Sequence, residues 1–293
     1  VPELVAYGKE KGVGLILWVS WLAVDKNFDT IFQTYRDWGV AGMKIDFMDR
    51  SDQRIVNFYE NTVKEAAKHH IFVNFHGAYK PSGLEYMYPN LLSYEGVAGM
   101  EQMGNCKPEN SVYFPFMRNA VGPMEYTPGA MNSMQPDNYS ARRPNSGSIG
   151  TRAYQMALFV VFESGLQMLA DNPTLYYNND DCTRFITSVP VLWDDTKVLS
   201  AKVGDHVLVA KRNAETWYIG GMTGERKAPL EMEVALDFLP ENQTFTLTSF
   251  EDGINADRQA MHYVKKVREV KKGDVVKIKM VRNGGYAAVL NVK

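Results

Sequence analysis

The sequence predicts an α/β chain: a (β/α)8-type barrel with about six of its strands present, followed by a C-terminal antiparallel β-sheet domain. Three observations carry this. Over the first two-thirds, apolar segments of strand length alternate with amphipathic helical ones. Those strand segments are apolar almost throughout, as the strands of a parallel sheet covered on both faces must be. After about residue 197 the pattern changes to short alternating segments punctuated by turns, the pattern of an antiparallel sheet. The expected domains are therefore 1–196 and 197–293.

Each element follows in order. Residues 12–21 (GVGLILWVSW) read as a buried strand. Residues 28–38 read as a helix, with Phe28, Ile31, Phe32 and Tyr35 on one face and Gly39 as the stop. Residues 42–48 (GMKIDFM) form the next strand, and 53–69 a second helix with Ile55, Phe58, Tyr59 and Val63 facing inward. Strands are expected at 71–75, 91–94, 116–121 and 166–170, and an apolar helix at 151–162. In the C-terminal part, strands are expected at 206–212, 216–220, 230–236, 243–250, 275–281 and 286–292. Turns at Asp252-Gly253, Lys272-Gly273 and Asn283-Gly284 separate them. A closed barrel needs eight strands. The chain begins Val1-Pro2-Glu3-Leu4, without Met or a signal peptide, so it reads as part of a longer protein whose first two barrel strands precede Val1. The rival is an open doubly wound sheet, disfavoured because no glycine-rich phosphate loop follows the first strand.

Composition narrows the function. The chain has 293 residues, 45% of them hydrophobic, enough for a sizeable core, and a formal net charge of -2 with no basic block. Nucleic acid is excluded as the expected partner, and no apolar run is long enough to span a membrane. Cys106 and Cys182 have no metal-ligand spacing and read either as one disulfide or as two thiols.

Parallel barrels carry their chemistry at the C-terminal ends of strands. There the sequence places Asp46, with Lys44 two residues before it and Asp49 just after; Asn74 and His76; Glu95; and Asp171. Glu101 follows Glu95 in a loop containing Gly96, Ala98 and Gly99. Several carboxylates at one barrel mouth suit acetal hydrolysis, which needs one as nucleophile or base and one, protonated, to release the leaving oxygen. Asp46 lies between Ile45 and Phe47 on a buried strand, where an idle carboxylate would be costly. Lys44 shares its face and reads either as a cation holding Asp46 ionised or as a solvated strand residue. Glu95 reads as structural, metal-binding or catalytic. His76 reads as a donor to a sugar hydroxyl or as a strand cap. Residues 122–129 (GPMEYTPG) read as a turn-rich loop, a pocket wall if the barrel is real.

The motifs GMKIDFMDR, IFVNFHGAYKPSG, LLSYEGVAGME and FMRNAVGPMEYTPGAM resemble glycoside hydrolase family 97. Met43–Phe47 alone resembles a strand-four motif of the wider α-galactosidase and α-glucosidase clan. In inverting members of the family a glutamate base follows the histidine of the VN-x-H motif; that position here is Gly77. The inverting members lack the aspartate at Asp46. The resemblance therefore implies the retaining branch, with Asp46 as nucleophile and Glu101 as general acid/base; Lys44, Asn74 and His76, from their places at the strand ends, are the candidate substrate-binding residues. It implies a retaining α-galactosidase acting on an oligosaccharide or polysaccharide, with a retaining α-glucosidase and a non-catalytic carbohydrate-binding chain as alternatives. It also implies a calcium ion near the sugar, with Glu95 and Glu101 among its ligands, and a periplasmic or secreted parent protein. Oligomeric state is left open.

Overall fold

A computed structural model of the chain describes residues 1–142 and 145–293. The residues group into two compact units. One comprises 1–97 with 121–125 and 164–166; the other comprises 98–120, 126–163 and 167–293.

The first unit is built on a parallel sheet in the order β1 (Ile16–Ser20), β2 (Gly42–Asp46), β3 (Phe72–Phe75), β4 (Leu91–Tyr94). Strands adjacent in sequence are adjacent in the sheet and all run the same way, which is how a (β/α) barrel winds. β1 is shorter than the apolar run that encodes it, because Ser20 caps a helix starting at Trp21 (Trp21–Lys26) by accepting from the Ala23 amide. Helix Phe28–Trp38 stops at Gly39, whose φ of 75° supplies the left-handed turn. Helix Gln53–Lys68 starts at Asp52, whose carboxylate accepts from the Arg54 amide. The inward residues Phe32, Tyr35, Ile55, Phe58, Tyr59 and Val63 pack with Met43, Ile45, Val73 and Phe75 from the strands.

Two expected barrel strands do not form among the described residues. Residues 116–121 lie in a short helix (Phe114–Met117) and a 3-10 turn (Asn119–Val121), with Pro115 in the first turn, where its missing N–H costs nothing. Residues 166–170 have no regular structure. The sheet continues instead into the segment expected to be loop: Met124 forms a parallel bridge with Tyr94, and the Glu125 amide donates to the Tyr94 carbonyl at 2.8 Å.

In the second unit, the short strands β5 (Ser133–Met134) and β6 (Ser148–Ile149) pair in parallel. The remaining strands are β7 (Asp195–Lys202), β8 (His206–Asn213), β9 (Thr216–Thr223), β10 (Leu230–Ala235), β11 (Thr244–Asp252), β12 (Tyr263–Lys271), β13 (Val275–Met280) and β14 (Gly285–Val292). Six of these form an antiparallel sheet in the order β12-β11-β14-β9-β8-β7, and β10 pairs with β13. The apolar helix Arg152–Val161 is buried along its whole length against β9 and β14. Gly285 makes this approach possible, since a Cβ there would lie 2.4 Å from the Tyr154 Cα. Cys106 and Cys182 are both buried and not joined in a disulfide. No helix among the described residues is long and apolar enough to cross a membrane.

Candidate active site

The parallel ladder runs past the strand ends and sets four side chains in a row. The His76 amide donates to the Ile45 carbonyl, the Glu95 amide to Phe75 and the Glu125 amide to Tyr94, each at 2.8 Å. Asp46, His76, Glu95 and Glu125 therefore stand on successive positions of one sheet, at the C-terminal ends.

Asp46 is buried and both its oxygens are fixed. Trp18 Nε1 donates to Oδ2 at 2.8 Å, and the Phe47 amide donates to Oδ1 at 2.6 Å. The second bond depends on unusual backbone: Phe47 and Asp49 have φ of 69° and 47°, left-handed values that cost non-glycine residues energy and collect at functional sites. The Asp49 amide then donates to the Gly77 carbonyl at 2.8 Å. Gly77 itself has φ of 56° and lies so close that a Cβ on it would be 2.9 Å from Asp46 Oδ1.

Lys44, read either as a cation beside Asp46 or as a solvated strand residue, gives its charge to another carboxylate. Lys44 Nζ pairs with Glu125 Oε1 at 2.5 Å. Asn74, fully buried, donates from Nδ2 to Glu125 Oε2, and His76 Nδ1 is 3.3 Å from Oε1. Burial pushes the Glu125 carboxyl upward, but the His76 contact and the Lys44 ammonium outweigh it and hold the group below the usual glutamate range. On the other side of the imidazole, His76 Nε2 is 3.4 Å from Glu95 Oε1, and Glu95 Oε2 accepts from the Gly77 amide at 2.8 Å.

Within the first unit the structure thus brings together Lys44, Asp46, Asn74, His76 and Glu95. Glu101 belongs to the second unit, on the 3-10 segment Met100–Asn105. It is exposed and lines a cleft of about 660 Å³ with Met100, Met103, Thr127 and Ala130. The expected strand-end residue Asp171 lies in irregular chain of the same unit, where Oδ2 accepts from the Met131 amide at 2.5 Å. Sequence reasoning missed Trp18 and Glu125. Register carries the signal for Trp18, which pairs with Lys44 while Ser20 pairs with Asp46, placing all four side chains on one face.

Acidic and basic side chains converging on the C-terminal ends of parallel strands, followed by an antiparallel sheet domain, define a barrel of the glycoside hydrolase type. A profile described as Glycoside hydrolase 97 matches residues 1–97, and one described as Glycosyl-hydrolase 97 C-terminal, oligomerisation, matches residues 192–291. The chain belongs to glycoside hydrolase family 97.

It is 38% identical over 292 residues to a retaining alpha-galactosidase of Bacteroides thetaiotaomicron, covering 98% of this chain and 44% of that protein. It is 32% identical over 291 residues to a probable retaining alpha-galactosidase of Streptomyces bingchenggensis, covering 99% and 42%. Among solved structures it resembles a family 97 enzyme of Pseudoalteromonas sp. strain K8 in complex with panose. The TM-score is 0.88 and the identity 29%, covering 99% of this chain and 48% of that one. The chain thus spans less than half the length of the relatives it matches.

Proposed function

We propose that the protein carrying this chain cleaves terminal α-galactosidic bonds with retention of configuration, through a covalent glycosyl-enzyme. The observation that carries this is Asp46: a buried carboxylate at the end of β2, pinned through both oxygens, beside a glycine where a side chain would collide with it. The similarity to retaining α-galactosidases supports the sugar and the stereochemistry.

In the first step Asp46 forms a bond to the anomeric carbon. The glycosidic C–O bond breaks with its electron pair going to oxygen, which takes the proton of Glu101. In the second step water attacks the same carbon, Glu101 accepts the water's proton, and Asp46 is released. Lys44 and His76 are the donors assigned to sugar hydroxyls. Asn74, fully buried, takes part through the carboxylate it holds.

Glu95 and Glu101 are the residues that would hold calcium. Carboxylate oxygens are the hard donors this ion prefers, and Glu95 presents its carboxyl group at the strand end with the side chain 12% exposed. Two carboxylates supply at most about four of the six to eight oxygens required, so water, sugar hydroxyls or other parts of the protein must complete the shell. When bound, the ion supplies positive charge beside the reacting sugar. Stripping the intact protein with a chelator should lower kcat/KM by roughly tenfold or more, and calcium, unlike potassium, should restore it. Unchanged rates after verified removal would argue against the ion's role.

The test of the function is hydrolysis of nitrophenyl α-galactoside and α-glucoside by the intact protein, with the first-formed anomer followed by NMR. The α-anomer of galactose is expected first. Preference for the glucoside would select the α-glucosidase reading, a β-anomer would refute retention, and binding without turnover would leave a carbohydrate-binding protein. Replacing Glu101 with Ala should slow poor leaving groups by roughly 10²–10⁴-fold, the range of general-acid catalysis. Glycosylation from an activated leaving group that needs no proton should suffer much less. Equal losses on both would remove Glu101 from the acid role.

A further inference from the structure

Glu125 lies outside the residues assigned to the chemistry, yet it is where the sugar-binding side chains meet. Its side chain is completely buried. Its carboxylate takes Lys44 Nζ from β2 and Asn74 Nδ2 from β3, and His76 Nδ1, just beyond β3, lies 3.3 Å from it. Its own amide is locked to Tyr94 at the end of β4. One carboxylate thus ties together side chains from two strands and is itself fixed to a third.

Stability alone is a poor reason for such a group. A buried ion pair gains little over a well-packed apolar pair, because both ions lose their hydration. What it does supply is order. A lysine has about 2 kcal/mol of rotamer entropy to lose when it engages a ligand, and an imidazole can rotate or change tautomer. Both are held here before any sugar arrives, which moves the ordering cost from binding to folding.

We propose that Glu125 is a positioning residue, which through its buried carboxylate presets Lys44, Asn74 and His76 so that the ammonium and the imidazole meet the sugar beside Asp46 in fixed orientation. This rests on the reading that the C-terminal ends of β2 and β3 bind the sugar. The imidazole stands between two carboxylates, with Nδ1 3.3 Å from Glu125 Oε1 and Nε2 3.4 Å from Glu95 Oε1, so its ring plane is set by groups on both sides.

Two measurements test it. In the intact protein, Glu125→Gln keeps the shape but loses the charge. KM for nitrophenyl α-galactoside should rise about tenfold, roughly what one charge-assisted hydrogen bond is worth, with kcat within about threefold. The rise should be non-additive with Lys44→Met, the double variant being little worse than Lys44→Met alone, because Glu125 acts through Lys44. Wild-type KM and kcat in Glu125→Gln, or additive losses, would overturn the proposal. The second measurement needs no variant of Glu125 and no substrate. The side-chain ¹⁵N signal of the Lys44 ammonium, assigned by its loss in Lys44→Met, should be resolved and protected from exchange in the sugar-free protein, as expected of an ammonium held on the Glu125 carboxylate. A Lys44 signal averaged like that of a free lysine would overturn the proposal even if Glu125→Gln failed to fold. Because this readout does not depend on turnover, it can fail while the glycosidase reading stands, and the reverse.

Discussion

Asp46→Asn should reduce turnover of α-galactosides by the intact protein on the order of 10⁴-fold, the scale on which removal of a covalent nucleophile is felt. The amide is nearly the same size, and it presents an NH₂ where one of the two donors now points. Trp18 Nε1 or the Phe47 amide would face another donor, so the site loses both its nucleophile and part of its geometry. The more informative variant is Asp46→Ala. It leaves a space at the end of β2 that a small anion can enter from the same side. Azide should therefore restore turnover of an activated α-galactoside, giving the β-galactosyl azide by one displacement at the anomeric carbon. An α-azide product would require attack from the opposite face and would remove Asp46 from the nucleophile role. Absence of rescue, with ordered binding of substrate shown independently, would point the same way.

The strands that could be read from the sequence were those with one or both faces buried. β1 to β4 are near-continuous apolar runs, β8, β9 and β14 are buried over most of their length, and β10, β11 and β13 alternate. β7 and β12 went unread for a shared reason. They are the two edges of the six-stranded sheet, and β12 (YVKKVREVK) is a charged segment exposed along most of its length. Lysine-rich edges discourage pairing with other chains, and the same charges erase the period-two signal. The fifth barrel position was misplaced because apolar character at 116–121 belongs to helical turns begun at Pro115, whereas the bridging residue Met124 sits among turn-forming residues.

The candidate site divides in the same way. Asp46, Asn74, His76 and Glu95 were visible because each polar residue ends an apolar strand. Trp18 was hidden because an indole inside a buried strand looks like core until register shows which face it shares. Glu125 was hidden because nothing in GPMEYTPG tells a buried carboxylate from a solvated one; its partners come from 51 and 81 residues earlier in the chain.

Gly77→Ala should nearly disable the site although it adds a single methyl group. The backbone at residue 77 has φ of 56°, where an L-residue costs about 1–2 kcal/mol more than glycine. The added Cβ would also fall 2.9 Å from Asp46 Oδ1, 2.9 Å from the Phe47 nitrogen and 3.0 Å from Asp49 Oδ1. None of these is the loose end of a long side chain. Asp46 and Phe47 are bonded to each other, and Asp49 is tied by its amide to Gly77 itself. The collision must therefore be relieved by moving the carboxylate, and a displacement approaching 1 Å at a reacting group costs roughly 10²-fold. We expect kcat/KM to fall by about that factor and the melting temperature to fall as well. A double-mutant cycle separates strain from collision. If the methyl group acts on Asp46, Gly77→Ala should destabilise an Asp46→Ala background by clearly less than the wild type, since one obstructing oxygen is gone while the φ strain remains. Equal destabilisation in both backgrounds would mean that the left-handed backbone accounts for the whole stability effect. The same contact gives a physical reason why an aspartate at 46 and a side chain at 77 exclude each other. Gly77→Glu in the wild-type background should accordingly lose the retaining activity without gaining an inverting one, because the new carboxylate enters a space that Asp46 still occupies.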